Sequence, residues 1–598
     1  MSTDPRVLVL RDLLDAAVAE DLAGAGRVRP GSGPDGRPGT WVRLLLPDGR
    51  CLAWRARAGG VLQTSRYVDG PVLVGVPGEP LRETTDPAEV LELLAPDAPC
   101  EEIVARDLGT AVGHVLDVSD PSGEVLAAVR GRPFHPTARA VAGWSRAELD
   151  RWGPGREVAL DWVGVRRDHV RHGTGGPVVV DGAPEAPDGY EALPVHPFDR
   201  ERVLPVAFGR ELADGTVVPL ARGVGSGTVT SSLRTLDLGG DRHLKLPLGV
   251  TTLGSARLLG ARSLDHGQRG EQVLRRVLAA DPALAARVAV ADESAWSGFA
   301  APDGSDEFHD RPGHLAAALR RLPPCPDGAV RLPLAALAAP AWDGVAGDGA
   351  ERSSTRGALT GLGDPAGVFG EVVEAVVEVG IGFLRHGVLP EMHGQNVLVE
   401  LAGDGAERSS THRPGDGAER SSTRRPGDGA ERSSTHRPGD EAARSSTRRY
   451  TSGRVVRVVL RDHDAVRVHP RWLSVPDPAY RLAPGGTQSL RLDTPAELIG
   501  FFCTLTVEVG LGGVVDALVR ATGEPEPRWW SVIRHAVEGA VDRTRSPVVR
   551  QALRATLLDA ETWPYRTVLR PLLERGPSRG ASMPAGTTRV PNPLRAVP

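Results

Sequence analysis

The stretch DRHLKLPLGV, residues 241–250, holds Lys245, the single lysine among 71 Lys and Arg residues. The chain is dense in Ala, Gly, Pro and Val, as a GC-rich coding sequence that avoids lysine codons would be, so a retained Lys is informative. At most surface positions Arg replaces Lys freely, because both carry a charge on a flexible apolar stem. A compact ammonium is preferred where the group must fit a tight site or meet phosphate oxygens as a point charge. Other residues of the right chemistry stand along the chain. SSLRT supplies Ser232, Arg234 and Thr235; Arg257 follows Lys245 by twelve positions; EMHGQN supplies Glu391, His393, Gln395 and Asn396; LRD supplies Asp462. Lys and two Arg can neutralise phosphates, and Ser and Thr hydroxyls can bond phosphate oxygens. An Asn and an Asp at adjoining strand ends can hold Mg²⁺ through oxygen. Together these residues have the chemistry of a triphosphate site, and protein kinases keep Lys, Asn and a metal-binding Asp in the same chain order.

The elements that position them follow from periodicity. GQNVLVELA and RVVRVVLRDHDA are Val-rich strands, with Asp462 66 positions after Asn396. Between them runs a polar twelve-residue unit: GDGAERSSTHRP at 403, repeated at 415 and 427, decaying at 439, with a stray copy at 347. Units without apolar residues bury no core, so the insert 403–450 is expected to be solvated and disordered, a neutral tandem expansion. Without it the two strands form a hairpin that makes Asn396 and Asp462 neighbours. Strands are expected at REVALDWVGV, GPVVVDG, EALPVHP, GTVVPLARG and HLKLPLGV, and a hairpin turn at PDGR before Cys51. GVGSGTVTSS at 223–232 reads as a loop. Helices are expected at the N-terminus, at 86–95 and 100–117, and over 360–390, 494–522 and 545–575. Ser145 and Glu148 form a capping box. His463, Asp464 and His469 read as solvated neighbours of Asp462.

Composition narrows the classes. With 598 residues the chain exceeds one ordinary core. A net charge of −5 gives no basic field for nucleic acid, and no polybasic block points to a membrane. The apolar segment at 367–388 carries Glu371, Glu374 and Glu378, which marks a buried helix rather than a membrane span. Four Cys without a CxxC pair give neither a zinc signature nor a disulfide framework, so a cytoplasmic location is the default.

Five landmarks in order, GRPFHPTARAVAG at 131, LPVHPFD at 193, SSLRTLDLGGDRHLKLPLGVTTLGSAR from 231, EMHGQN at 391 and LRD at 460, resemble the IucA/IucC-type, NRPS-independent siderophore synthetases. Lys245 falls where that family keeps its nucleotide-binding lysine. The resemblance implies an enzyme that uses ATP and Mg²⁺ to adenylate a carboxylate of citrate or a related polycarboxylic acid. An amine or amino alcohol then displaces AMP. It assigns Ser232, Arg234, Thr235, Lys245, Gln395, Asn396 and Asp462 to ATP and metal, with Glu391 close by as a third metal ligand. Arg257 and His393 would grip the acid near the α-phosphate, and His135 would line the pocket. Lys245, Arg257 and His393 would carry the catalysis. By family analogy a homodimer is the expected assembly.

The family usually reads G-H-P-x-H-P-x-x-K-x-R-x-G at the first landmark and H-P-W-Q at the second. Here Arg132, Arg139 and Val141 replace the first His, the Lys and the Arg, and the second ends Phe198, Asp199. These departures leave the ATP set intact and bear on substrate specificity. The expected architecture is α+β with three lobes, thumb, fingers and palm-like: a mixed lobe 1–125, a strand-rich central lobe 126–360 bearing Lys245, and a mainly helical lobe 361–598. A kinase-reminiscent ATP cleft would lie between the last two. Two other readings stand beside the ligase. A kinase-like phosphotransferase would place an Asp base shortly before Asn396, which is missing. A degenerate paralogue acting as a scaffold would have had little reason to keep Lys245.

Overall fold

The computed structural model describes residues 4–58, 60–76, 79–116, 122–339, 364–402, 454–481, 490–578, 580 and 583–597. The repeats at 403–450 and the copy at 347 lie outside the described residues. Helix and sheet are mixed throughout.

The chain begins with helix Pro5–Ala19, whose first turn is capped by the Asp4 carboxylate accepting from the Arg6 amide at 2.9 Å. It packs on strands Thr40–Leu45 and Cys51–Ala58, joined at the PDGR turn with Leu45 opposite Cys51. Helices Pro87–Leu94 and Glu101–Gly113 complete the layer. This core is closed from the far end of the sequence by Leu569, Leu572 and Leu573 of helix Leu569–Arg575. The Glu20 carboxylate fastens that junction by accepting the amides of Val568, Leu569 and Arg570 at 2.7, 2.9 and 2.7 Å. A second tie is ionic. Arg520 lies 3.9 Å from Asp15 and 3.0 Å from Asp516, Arg66 lies 3.9 Å from Asp15, and Arg57 lies 3.5 Å from Asp516 and 3.8 Å from Glu526.

Strand-rich sequence from 157 onward forms a seven-stranded sheet. Its order is Glu157–Ala159, Ser226–Val229, Thr235–Asp237, Arg242–Lys245, Ala316–Arg321, Asp292–Phe299, Val170–His172, all pairs antiparallel. Strands Tyr190–Val195, Asp161–Arg166 and Val217–Ala221 make a separate three-stranded sheet. The C-terminal part carries four strands in the order Val288–Val290, Arg454–Leu460, Val397–Ala402, Ala329–Pro333. Helix Pro365–Leu384 joins the same core through Val372, Val376 and Val379, a spacing that puts them on one face.

Several sequence expectations change. GPVVVDG forms no strand; Val178 and Val180 are buried in irregular backbone, fixed by the Val178 amide donating to Ser297 Oγ at 3.2 Å. HLKLPLGV breaks into two strands at Leu246–Pro247, because Pro cannot donate to a ladder. GVGSGTVTSS is not only a loop: Ser226–Val229 lies inside the seven-stranded sheet. The segment 545–575 is interrupted by strand Thr562–Thr567, paired with Gly586–Pro591. Its Trp563, Tyr565 and Thr567 are buried on alternate positions. The helical run Pro495–Thr522, which includes a π-helical stretch over Phe502–Leu511, is long and apolar enough by composition to cross a membrane, but 89% of its most apolar window is buried inside the protein. It reads as a core helix. The capping box at Ser145 and Glu148 is present.

Candidate functional site

Antiparallel pairing explains the ten-residue step from Thr235 to Lys245, because the two residues stand directly opposite across adjacent strands. The hairpin between Val397–Ala402 and Arg454–Leu460 forms with Val397 opposite Leu460 and Ala402 opposite Arg454. It continues one step beyond its strands, where the Arg461 amide donates to the Asn396 carbonyl at 3.1 Å. Asn396 and Asp462 are therefore brought together at its open end. Lys245 Nζ donates to the Asp462 carboxylate and lies 4.0 Å from Asp464, so two sheets meet through this pair.

A cavity of about 1460 Å³ surrounds the pair. Ser232, Arg234, Thr235, Lys245, Arg257, Glu391, His393, Gln395, Asn396 and Asp462 all line it. His135 does not. It is fully buried behind the wall, with Nδ1 3.4 Å from Thr137 Oγ1 and no partner for Nε2. The HGQN turn presses its glycine against residues 334–338: the Gly394 carbonyl accepts from the Ala335 amide at 2.8 Å, and a Cβ on Gly394 would sit 3.0–3.2 Å from Ala335 atoms. Only glycine allows that approach without displacement.

The backbone is unusual where the side chains matter. Leu233, Leu253 and Asp462 have φ of 66°, 54° and 66°, in the left-handed region that non-glycine residues avoid. Each costs on the order of 1–3 kcal/mol and must be held by its surroundings. For Asp462 the holding group is Glu293, whose carboxylate accepts the Asp462 amide at 2.7 Å and the His463 amide at 3.2 Å while pairing with Arg320. For the loop at Ser231–Arg234 it is Glu124, which accepts the Ser231 amide and hydroxyl at 3.3 and 2.7 Å and pairs with Arg461. Arg461 also donates to the Gln395 carbonyl at 2.8 Å, and Gln395 Nε2 donates to the Ser231 carbonyl at 3.3 Å. One half-buried carboxylate thus couples three loops.

Charges within the cavity are strongly perturbed. Burial pushes the Asp462 carboxyl up, but the Lys245 ammonium, Arg320 and Arg234 outweigh it and hold it well below the usual carboxylate range. Burial likewise opposes ionisation of Glu293, and Arg320 with His463 prevails, bringing it down to about 2. Asp464, half-buried and beside the Asp462 charge, is pushed up to about 6 by partial desolvation and that charge. Burial lowers His393, against the pull of Glu391, which keeps its imidazole neutral at pH 7. Arg257 donates to the Thr252 hydroxyl and, at 2.7 Å, to its carbonyl; burial and Arg234 bring it down to about 9. Glu391 lies 3.8 Å from His393 and 3.5 Å from Arg467.

Sequence reasoning did not reach Glu124, Glu293, Arg320, Arg461 or Arg566. Glu124, Glu293, Arg320 and Arg566 come from segments without a motif, and Arg461, although inside LRD, acts through a pairing with Glu124 that only the fold creates. It also misplaced His463 and His469, which are buried and bonded to the carbonyls of Ala291 and Leu492 at 3.2 and 3.0 Å. Asp464 lines the cavity. The altered landmarks divide by role. Arg132 and Arg139 both line the cavity, but Arg139 is paired with Asp12 at 2.9 Å, whereas Arg132 pairs with no carboxylate among the described residues. His196 caps helix Pro197–Arg202 by accepting the Phe198 amide at 3.2 Å.

The mixed α and β fold is shared with solved siderophore biosynthesis proteins. Petrobactin biosynthesis protein AsbB from Bacillus anthracis superposes with a TM-score of 0.73 at 15% identity, over 99% of this chain and 95% of that one. ATP-bound aerobactin synthetase IucA from Klebsiella pneumoniae gives 0.67 at 15% identity, over 98% and 99%. Staphyloferrin B synthase of Staphylococcus aureus is 27% identical over 640 aligned positions, 98% of each chain. The IucA / IucC family model matches residues 126–339, and a model described as ferric iron reductase FhuF-like transporter matches residues 442–579. The chain thus resembles the IucA / IucC family over residues 126–339 and a siderophore synthase over nearly its whole length.

Proposed function

We propose that this chain is an ATP-dependent ligase of siderophore biosynthesis, which activates a carboxylate of citrate or a related polycarboxylic acid as its acyl adenylate and condenses it with an amine or hydroxyl nucleophile. The observation that carries the reading is the convergence of Lys245, Asp462 and Asn396 on one cavity with Ser232, Arg234, Thr235 and Arg257. In the described state Lys245 and Asp462 neutralise each other. Binding a nucleotide would redistribute them, with the ammonium meeting phosphate oxygens. Mg²⁺ fits the donors at hand, because Asn396 and Asp462 with Glu391 nearby offer oxygen ligands; the buried amide nitrogen of Asn396, a donor without a partner among the described residues, suits a phosphate oxygen instead. Among the described residues no group of three or more His, Cys, Asp or Glu is arranged to hold a metal alone, as suits an ion that arrives with phosphates and keeps several waters. When bound it would offset phosphate charge.

The residues then act as follows. Arg257 and the neutral His393 hold the acid with its carboxylate oxygen against the α-phosphorus. That oxygen bonds to phosphorus as the bond to pyrophosphate breaks, and Lys245 with Arg234 stabilises the charge on the phosphates. The nucleophile next adds to the acyl carbon, loses its proton, and expels AMP. Lobes divided near residues 125 and 360, with nucleotide between the second and third, a cytoplasmic location and a homodimer complete the proposal.

ATP–pyrophosphate exchange across a panel of acids tests it. Acid-dependent exchange with AMP as the nucleotide product supports a ligase. ADP would identify a phosphotransferase, and silence with every acid a non-catalytic paralogue.

A further inference from the structure

The second landmark, LPVHPFD, contributes no residue to the cavity wall, yet it packs directly behind an element that does. Arg257 ends a hairpin of strands Leu248–Thr252 and Ser255–Arg257, in which it stands opposite Leu248. The hairpin turns at Leu253 and Gly254, with φ of 54° and 72°, and its two strands belong to no larger sheet. Two strands alone are marginally stable at best, so this pair must be held from outside. Backbone bonds supply part of the hold. Ala142 and Thr251 exchange amide-to-carbonyl bonds at 2.9 Å each, the Ala256 amide donates to the Gly580 carbonyl at 3.1 Å, and the Ser578 amide donates to the Gly254 carbonyl at 2.8 Å. None of these reaches the start of the first strand, where Arg257 is registered. The tie there is a side chain: the Asp199 carboxyl accepts the Gly249 amide at 2.7 Å.

The contact is closely fitted. A Cβ on Gly249 would sit 2.2 Å from Val203 Cγ2, 3.2 Å from the Asp199 carboxyl and 3.5 Å from the Phe198 ring, so glycine is what brings the strand within bonding reach of helix Pro197–Arg202. Leu248 and Val250 pack with Trp144, Trp152 and Phe198 in one core cluster. Asp199 is buried among them, and its second oxygen has no partner. Burying a carboxyl for one accepted bond is unfavourable in itself, which points to a role in what the bond holds. Arg257 bonds to Thr252 of the same hairpin, through the Thr252 hydroxyl and carbonyl, so its guanidinium moves with the hairpin. We propose that Asp199 is a positioning residue for the acid site: by holding Gly249 it fixes the strand that registers Arg257, and with it the guanidinium that grips the acid. The inference rests on the ligase reading, in which Arg257 binds the acid, and deepens it by adding a residue that does not touch the substrate. Burial pushes the Asp199 carboxyl up to about 7, so near pH 6 an Asn reproduces both its neutrality and its acceptor oxygen.

Calorimetric titration of the full chain with citrate near pH 6, with Mg²⁺ and α,β-methylene-ATP present, tests the role. Asp199→Leu, which removes the acceptor, should weaken citrate binding about tenfold and leave the affinity for the nucleotide analogue unchanged. Asp199→Asn should restore citrate affinity. In an Arg257→Leu background Asp199→Leu should cause no further loss, because both changes act through one guanidinium. Hydrogen–deuterium exchange should be faster across 248–257 in Asp199→Leu and of wild-type rate in Asp199→Asn. Asp199→Ala serves both measurements if the Leu variant fails to fold. Undiminished citrate binding by the folded Leu variant, a parallel fall in analogue affinity, an additive loss in the Arg257→Leu background, or an Asn variant as weak as Leu each overturns the role. Pyrophosphate exchange separates it from the ligase reading. Acid-dependent exchange by wild type together with any of those results removes only the positioning role. Silence with every acid, while amide exchange across 248–257 is hastened in Leu and restored in Asn, removes the ligase and leaves Asp199 as the support of Arg257.

Discussion

Two buried ionic clusters use the same side chains to opposite ends. Around Asp15, Asp516 and Glu526, three guanidiniums from Arg57, Arg66 and Arg520 are closed in by carboxylates of the chain, tying the first helix and sheet to helices Gly512–Thr522 and Glu526–Asp542. In the cavity, Arg132, Arg257 and Arg566 pair with no carboxylate among the described residues. A complete set of partners marks a structural cluster, and an incomplete one beside a large cavity marks a binding surface. Asp199 is a third case. It accepts the Gly249 amide at 2.7 Å, pairs with no cation among the described residues, and is pushed by burial up to about 7, so its neutral form is favoured far above the usual carboxylate range.

The contrast can be broken in four ways, beginning with the largest effect. Asp516→Ala strands the guanidiniums of Arg57 and Arg520 and should destabilise the fold by about 3–5 kcal/mol. Turnover per folded molecule should stay near normal; denaturant titration with activity assays checks both, and an unmoved midpoint would show the closed cluster to be dispensable. Lys245→Arg keeps the charge in a site shaped for an ammonium and should lower acid-dependent exchange by ~100-fold with little change in melting temperature. Near-normal exchange would remove the argument from the single lysine.

Asp199→Asn supplies a pH signature. Because the folded carboxyl titrates at about 7 and the unfolded one near 3.8, the native state binds the extra proton, and its stabilising contribution fades as pH rises from 4 through 7. The Asn variant keeps an acceptor for Gly249 and has no such loss. Its melting temperature relative to wild type should therefore climb between pH 5 and pH 8; a constant difference would show that Asp199 is ionised in the fold. The smallest effect concerns the hairpin. Ala402 and Arg454 are cross-strand partners, so replacing 403–453 by a short turn should leave exchange and melting temperature nearly unchanged. A marked drop in either would assign the insert a part in the fold.

What the sequence revealed and what it hid follow from range. Asn396 beside Asp462 was legible because it rests on a hairpin between two Val-rich strands, whereas Thr235 and Lys245 were picked out by their chemistry and their cross-strand pairing came from the fold. Strand Thr562–Thr567 was hidden because short apolar alternation next to a helix supports either period. Glu293 and Glu124 were hidden for another reason. Each lies more than 100 residues from a backbone it supports, Asp462 for the one and Ser231 for the other, and nothing in a chain with 76 acidic residues distinguishes them beforehand. Arg132 stood out only as a departure from a pattern.

The junction between Glu20 and residues 568–570 also constrains how the protein is made. A ribosome releases the first hundred residues long before it has translated the helix that seals them. During that interval Leu10, Leu13 and their neighbours lack part of their final cover, so a chaperone that shields nascent apolar surface would be needed most early in synthesis. Truncation near residue 565 would leave the opposite end of the polypeptide as the exposed one.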